Sequence, residues 1–205
     1  MRSSDNGQAI QGFIFDLGNV LVRLDASSIP RALVLWKEDS FIINEIKEIY
    51  DQWESGKINT EFFVQAIQPL LPSPMGRMEF EKQWGEVLAG PMLGMESLLK
   101  RLRKKVRLAL LSNVNPLHWK IVLKDYQNFL TYFEALFPSF QTGHLKPNSE
   151  SYLQIAQFFR LELNQLAFVD DRLENVRAAQ KMGILAHHFE SLELFEEWLK
   201  RNNLL

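Results

Sequence analysis

Short apolar runs that stop abruptly on polar residues constrain the fold of this 205-residue chain more than any other feature. IQGFIF at 10–15 stops at Asp16, VRLALL at 106–111 stops at Ser112 and Asn113, and LAFV at 166–169 stops at Asp170 and Asp171. FEALFPSF at 133–140 and ILAHHF at 184–189 are weaker runs of the same kind. Nearly continuous apolar runs of this length fit strands buried on both faces of a parallel sheet.

Helical patterns lie between the runs from residue 95 onward. Residues 95–104 carry Leu98, Leu99 and Leu102 on one stripe, and 149–161 carry Tyr152, Leu153, Ala156 and Phe159 behind an N-cap at Asn148 or Ser149. Residues 173–182 end at Gly183, a C′ glycine, and 191–200 close the series. Alternating strands and helices predict an α/β fold: a Rossmann-like parallel sheet core with helices on both faces. Residues 26–92 differ. They offer no strand candidate, only helical patterns at 27–37, 40–53, 60–70 and 75–88, with Asn59 as an N-cap and breaks at Gly56, Pro69–Pro74 and Gly90-Pro91. The expected organisation is therefore a polar tail at 1–9, a core made of 10–25 and 93–205, and a small inserted all-helical cap at 26–92. That block enters just behind Asp16 and is placed to cover whatever the first strand end presents.

Charge and composition narrow the chemistry. A formal charge of −2 argues against nucleic-acid binding, which needs a basic field. The absence of cysteine excludes disulfides and thiolate chemistry. No apolar run reaches the roughly 20 residues that span a bilayer, and the polar stretch 1–12 has no secretory apolar segment. The expectation is a cytoplasmic protein without membrane or nucleic-acid partners; oligomeric state is left open, a monomer being favoured. The basic run at 100–105 reads as a solvated helix end.

Ligands of an open parallel sheet bind at the carboxyl ends of its strands. Asp16, Ser112-Asn113 and Asp170-Asp171 all fall there, and the Leu145-Lys146-Pro147 turn adds a cation. Carboxylates with no histidine or cysteine beside them suit a hard cation such as Mg²⁺. Neutral donors and a lysine suit a phosphoryl group, and a carboxylate can attack phosphorus to form an aspartyl-phosphate. Simpler readings stand beside these: Asp170-Asp171 as helix caps, Ser112-Asn113 as turn residues before Pro116, and Trp36, Tyr50, Trp53, Phe62 and Trp84 as packing residues. His187 and His188 read as structural and His144 as a loop residue. Asn19 reads as a backbone-shaping residue.

FDLGNVLV at 15–22, LLSN at 110–113, HLKP at 144–147 and FVDD at 168–171 resemble, in order and spacing, the four motifs of the haloacid dehalogenase (HAD) superfamily. The resemblance spans residue 10 to about 190, and the DLGNV form is similar to the branch that holds α-D-glucose-1-phosphate phosphatases and the phosphatase domain of soluble epoxide hydrolase. It implies a Mg²⁺-dependent phosphomonoester hydrolase acting on a small phosphorylated metabolite, a sugar phosphate by analogy. Asp16 would be the nucleophile, with Asp16, the Gly18 carbonyl, Asp171 and Asp170 around the metal. Ser112, Asn113 and Lys146 would bind the phosphoryl group, Lys146 would also serve catalysis by neutralising charge, and Asn175 would orient Asp171. The sequence departs from the superfamily pattern at Gly18, where most members carry a second Asp as general acid and base; His118 is a candidate replacement. Two other readings remain open: a metal-independent 2-haloacid dehalogenase-like hydrolase and a non-catalytic phospholigand-binding protein.

Overall fold

The computed structural model describes residues 9–25, 40–70 and 75–205. The helix expected at 27–37, Trp36 and residues 71–74 of the proline-rich break lie outside these.

Strand β1 (Gly12–Phe15) is the middle of a five-stranded sheet. Two further strands enter the chain before the rest of that sheet, β2 (Val22–Leu24) and β3 (Leu88–Pro91). The sheet is completed by β4 (Arg107–Ser112), β5 (Ala135–Pro138), β6 (Leu166–Asp170) and β7 (Leu185–His188), in the order β5-β4-β1-β6-β7 with every pair parallel. Phe15 is in register with Leu110 on one side and Val169 on the other. The chain winds outward from β1 to β5, then returns to the other side of β1 at β6. The crevice between β1 and β6 is therefore the switch point where such sheets bind ligands.

Buried strand residues alternate between two apolar layers. Phe13, Phe15, Leu110 and Val169 face one layer with Met95, Leu98, Leu102, Phe195 and Leu199. Ile14, Ala109, Leu111 and Phe168 face the other with Tyr152, Ile155, Phe159, Val176 and Ala179. Both faces are covered, which is why these strands read as continuous apolar runs rather than as alternating ones. Asn148 caps Ser149–Phe159 by accepting from the Glu150 N–H, and Gly183 adopts φ 89° as the expected C′ residue.

Within 40–91 the described helices are Ser40–Glu54, Thr60–Ile67 and Arg77–Gly85. Asn59 caps the second, its side chain accepting from Phe62 N. Trp53, Phe63, Ile67, Phe80 and Trp84 form a separate aromatic cluster, with the Trp53 and Phe63 rings stacked 4.0 Å apart. Phe62 lies outside it, more than half exposed. The expectation of no strand in this stretch is corrected by β3, which pairs antiparallel with β2. The chain leaves the Arg77–Gly85 helix early to pair Leu88 with Leu24, and that pairing is a tertiary contact invisible in local periodicity. Gly56, at φ 72°, passes so close to the core that a Cβ there would lie 2.1 Å from the Phe140 carbonyl oxygen; only glycine fits. A helix at Pro116–Asp125 was also absent from the periodicity reading. Its signals are local: Pro116 in the first turn, and Asn115 accepting from His118 N.

Candidate active site

Asp16 follows β1 and extends its pairing, its N–H donating to the Val169 carbonyl at 3.0 Å. That bond fixes the backbone and aims the buried side chain at the β1–β6 crevice. Lys146 arrives from the loop before the Ser149–Phe159 helix, and its Nζ lies 2.5 Å from Asp16 Oδ1 and 2.6 Å from Asp170 Oδ2. Ligand atoms of Asp16, Asp170 and Asp171 all lie within 4.8 Å of one another. A cavity of about 410 Å³ opens over this group, also bordered by Gly18, Ser112 and Asn113.

The amides are distributed differently from the sequence expectation. Asn113 spends both ends on the Lys146 backbone, accepting from its N–H at 2.8 Å and donating to its carbonyl at 2.9 Å. It borders the cavity, but in this arrangement its amide positions the lysine loop rather than presenting a free donor. Asn175 was expected to orient Asp171. It instead donates to both oxygens of Asp170, at 3.0 and 3.1 Å. Asp171 lies before the helix, whose N-cap is Arg172, so four-residue spacing from Asp171 is not one helical turn. Asp171 is held by Asn19, whose Nδ2 donates to Oδ2 at 2.8 Å while its Oδ1 accepts from Leu24 N. Asn19 sits at φ 53°, the left-handed region that asparagine tolerates. Its backbone-shaping role was legible; its grip on Asp171 was not. The helix-cap reading of Asp170 survives only as a turn, Oδ1 accepting from Arg172 N at 2.8 Å.

Three carboxylates face a single lysine. The Asp16 carboxyl is held up at about 7: burial raises it most, Lys146 offsets part of that rise, and Asp170 and Asp171 add to it. Burial also works against the Lys146 ammonium, but Asp16 and Asp170 outweigh it and hold its pKa above the ordinary lysine value. A nucleophilic carboxylate must be ionised, so the site needs more positive charge than Lys146 supplies. An all-oxygen donor set with surplus negative charge fits a hard divalent cation. Asp16, Asp170 and Asp171 could hold one.

The cavity's other wall comes from the helical block and β2–β3. Leu24, Tyr50, Trp84, Val87 and Leu88 contribute apolar surface, and Glu54 contributes a carboxylate. His118 borders it too, but both ring nitrogens are engaged, Nε2 with the Trp84 carbonyl at 2.8 Å and Nδ1 with Asn115 at 3.2 Å. Burial lowers its pKa, so the ring is neutral near pH 7. It bridges block and core and is not a free proton donor. Glu54, at the end of a helix, and Arg172, just before one, both border the cavity and were missed at the sequence level; neither position carries a local mark of facing a cleft.

A family model described as haloacid dehalogenase-like hydrolase matches residues 10–183. The sesquiterpene phosphatase astK of Aspergillus oryzae is 30% identical over 178 residues, 85% of this chain and 87% of that protein. The D-ribitol-5-phosphate phosphatase of Bacteroides thetaiotaomicron is 24% identical over 183 residues, 85% and 89% of the two chains. A haloacid dehalogenase family enzyme from Bacteroides thetaiotaomicron superposes with TM-score 0.82 at 24% identity, covering 94% of this chain and 99% of that one. The wild-type enzyme in complex with magnesium and inorganic phosphate superposes with TM-score 0.74 at 27% identity, covering 91% and 100%. A 2-haloacid dehalogenase from Pseudomonas syringae shares the fold at TM-score 0.60 and 16% identity, with coverage of 94% and 99%. No helix among the described residues is long and apolar enough to cross a membrane. With its parallel sheet and an acidic cluster at the switch point, this chain belongs to the haloacid dehalogenase-like hydrolase family.

Proposed function

We propose that this protein is a Mg²⁺-dependent phosphomonoester hydrolase working through an aspartyl-phosphate on Asp16. The observation that carries the reading is the convergence of Asp16, Asp170, Asp171 and Lys146 under one cavity. Asp16 attacks phosphorus in line, the Asp16–phosphorus bond forms, and the ester oxygen leaves; water then attacks the same phosphorus and Asp16 is restored. Lys146 neutralises Asp16 and the incoming phosphate, Ser112 borders the phosphoryl group, and Asn113 holds the lysine in place. Mg²⁺ would be held by Asp16, Asp170, Asp171 and the Gly18 carbonyl and would offset repulsion between carboxylate and phosphate. Asn19 and Asn175 orient Asp171 and Asp170. Residues 26–92 act as a cap over the core of 10–25 and 93–205, excluding bulk water and selecting the leaving group. We place the protein in the cytoplasm, acting on a small metabolite.

A sugar phosphate is one substrate class, in keeping with the ribitol-5-phosphate phosphatase among the relatives. The cavity wall favours a second. Leu17, Leu24, Trp84, Val87, Leu88 and Val114 border the space above Asp16, and such a wall suits a hydrocarbon-bearing alcohol, as the name of the sesquiterpene phosphatase relative implies for that protein. Retention of the acidic pair Asp170-Asp171 speaks against metal-independent dehalogenation. The test is phosphate release from sugar phosphates and prenyl phosphates, with and without Mg²⁺, beside halide release from 2-haloacids. Mg²⁺-dependent phosphate release that falls roughly 10⁴-fold or more in Asp16→Asn supports the reading. Halide release without metal, or an Asp16→Asn variant of full activity, overturns it.

A further inference from the structure

The alcohol that leaves a phosphomonoester must gain a proton, and the water that follows must lose one. Position 18, two residues beyond the attacking carboxylate, offers no side chain for this. A Cβ there would already stand 2.9 Å from Leu24 Cδ1. The proton carrier must come from elsewhere on the cavity wall.

The wall leaves few choices. Asp16 is the attacking group, and Lys146 is committed to Asp16 and Asp170. Asp171 belongs to the acidic cluster and is tied to Asn19. Both nitrogens of His118 are engaged. A guanidinium such as that of Arg172 does not give up its proton in a protein. Burial and the neighbouring Glu54 hold the Tyr50 hydroxyl well above the ordinary tyrosine value, so it stays protonated and donates to that carboxylate. Among the described residues, one titratable side chain on this wall remains.

We infer that Glu54 is the proton-transfer residue of this site, serving as acid to the departing alcohol and as base to the hydrolytic water. It is the last residue of the Ser40–Glu54 helix, buried yet bordering the same cavity as Asp16. Its carbonyl accepts from Ser139 Oγ at 2.6 Å, and Ser139 Oγ in turn accepts from Val114 N at 3.0 Å. The helix end is thus pinned to the loop that follows Ser112 and Asn113. The groups that act on its carboxylate are Tyr50 and Asp51 from its own helix, Lys146 from the loop before the Ser149–Phe159 helix and Arg172 before the Leu173–Lys181 helix. The balance holds it up at about 7: burial raises it most, the Tyr50 hydroxyl, Arg172 and Lys146 draw it down, and Asp51 adds to the rise. Both protonation states are then available near neutral pH, as an acid that becomes a base requires.

The inference rests on the phosphomonoesterase reading, and its steps balance as follows. The bond from Asp16 oxygen to phosphorus forms as the bond from phosphorus to the ester oxygen breaks. The protonated Glu54 carboxyl gives its proton to that oxygen, which departs as the alcohol and leaves Glu54 ionised. Ionised Glu54 then takes a proton from water as the water oxygen bonds phosphorus and the Asp16 bond breaks. Phosphate leaves, Asp16 is a carboxylate again, and Glu54 is protonated for the next turnover.

The test compares an alkyl phosphate with p-nitrophenyl phosphate on the full chain in Mg²⁺, using Glu54→Gln, Tyr50→Phe and Asp16→Asn. Glu54→Gln should lower kcat/KM for the alkyl ester by about 100- to 10,000-fold. The p-nitrophenyl ester, whose leaving oxygen needs no proton, should keep most of its kcat/KM. Its turnover should instead show a burst of p-nitrophenolate matching the enzyme concentration, because the second step has lost its base. Full alkyl-ester activity in Glu54→Gln, or equal losses on both esters with no burst, overturns the inference. Tyr50→Phe keeps the carboxylate and removes a donor that favours its ionised form. The alkaline limb of kcat/KM for the alkyl ester should move to higher pH, and an unmoved limb overturns the assignment. A fully active Asp16→Asn variant strikes at the attacking carboxylate instead, and so marks failure of the underlying reading rather than of Glu54 alone.

Discussion

The α/β core and the helical block meet at the cavity but hold together in different ways. In the core, successive strand residues point into two separate apolar layers, and the residues that end the strands inherit fixed backbone positions from the sheet's hydrogen bonds. Among its described residues the block has an aromatic cluster of its own. It is tied to the core by bonds to its backbone: Ser139 to the Glu54 carbonyl, His118 to the Trp84 carbonyl, and the Tyr126 hydroxyl between Gly90 N and the Leu88 carbonyl. Backbone anchors do not depend on which side chain stands at the anchored position. A cavity-facing residue outside the aromatic cluster, such as Leu88, can therefore change without unseating the block. Charge is concentrated on the rigid side of the cavity, and apolar selection surface on the side free to diverge.

The largest expected effect on stability falls on the core. Lys146→Met leaves Asp16 and Asp170 buried without their counter-charge, and breaking a buried pair this way costs about 3–5 kcal/mol. Urea unfolding measures it, and added Mg²⁺ should recover part of the loss. A midpoint equal to that of the parent protein would show that the core does not depend on this charge balance.

Trp53→Ala strikes the block at a fully buried ring, with a comparable local cost of about 3–5 kcal/mol. If block and core are separate units, amide exchange should quicken in Thr60–Ile67 and Arg77–Gly85 while β1, β4 and β6 keep their protection. Equal loss of protection in the strands would erase the distinction between the two regions.

The smallest effect is a pH slope at the sheet edge. The His187 ring stacks on Phe195 and Trp198. Burial, then His188 and Arg201, lower its pKa from 6.5 to about 4. The unfolded chain takes up the proton first, so this contribution is complete above pH 6.5 and is lost as pH falls toward 4. His187→Phe should flatten the decline of the urea midpoint across that window. An unaltered decline would place the acid sensitivity elsewhere, in the carboxylate cluster or the block.

Much of the core was readable in advance. Strands at 10–15, 106–111 and 166–169 match Gly12–Phe15, Arg107–Ser112 and Leu166–Asp170 to within a residue or two, because burial on both faces leaves an unbroken apolar signature. The run at 133–140 was overextended, since its last residues turn into the short helix Ser139–Thr142. The strands β2 and β3 escaped because their pairing joins segments on either side of the inserted block, and three or four residues are too few to establish a period.

By itself the sequence determined which residues end the strands and hence which carboxylates, lysine and neutral donors could share one sheet edge, since strand ends follow from local hydrophobic runs. Only the tertiary structure decided that Asn19 holds Asp171, that Asn175 holds Asp170, that Asn113 serves Lys146, and that Glu54 reaches the cavity of Asp16. Asn19 and Asp171, like Asn113 and Lys146, are far apart in the chain and meet only when the sheet assembles; Asn175 reaches Asp170 across the turn that precedes its helix, and the reach of Glu54 is set by how the block packs on the core, none of which local spacing encodes.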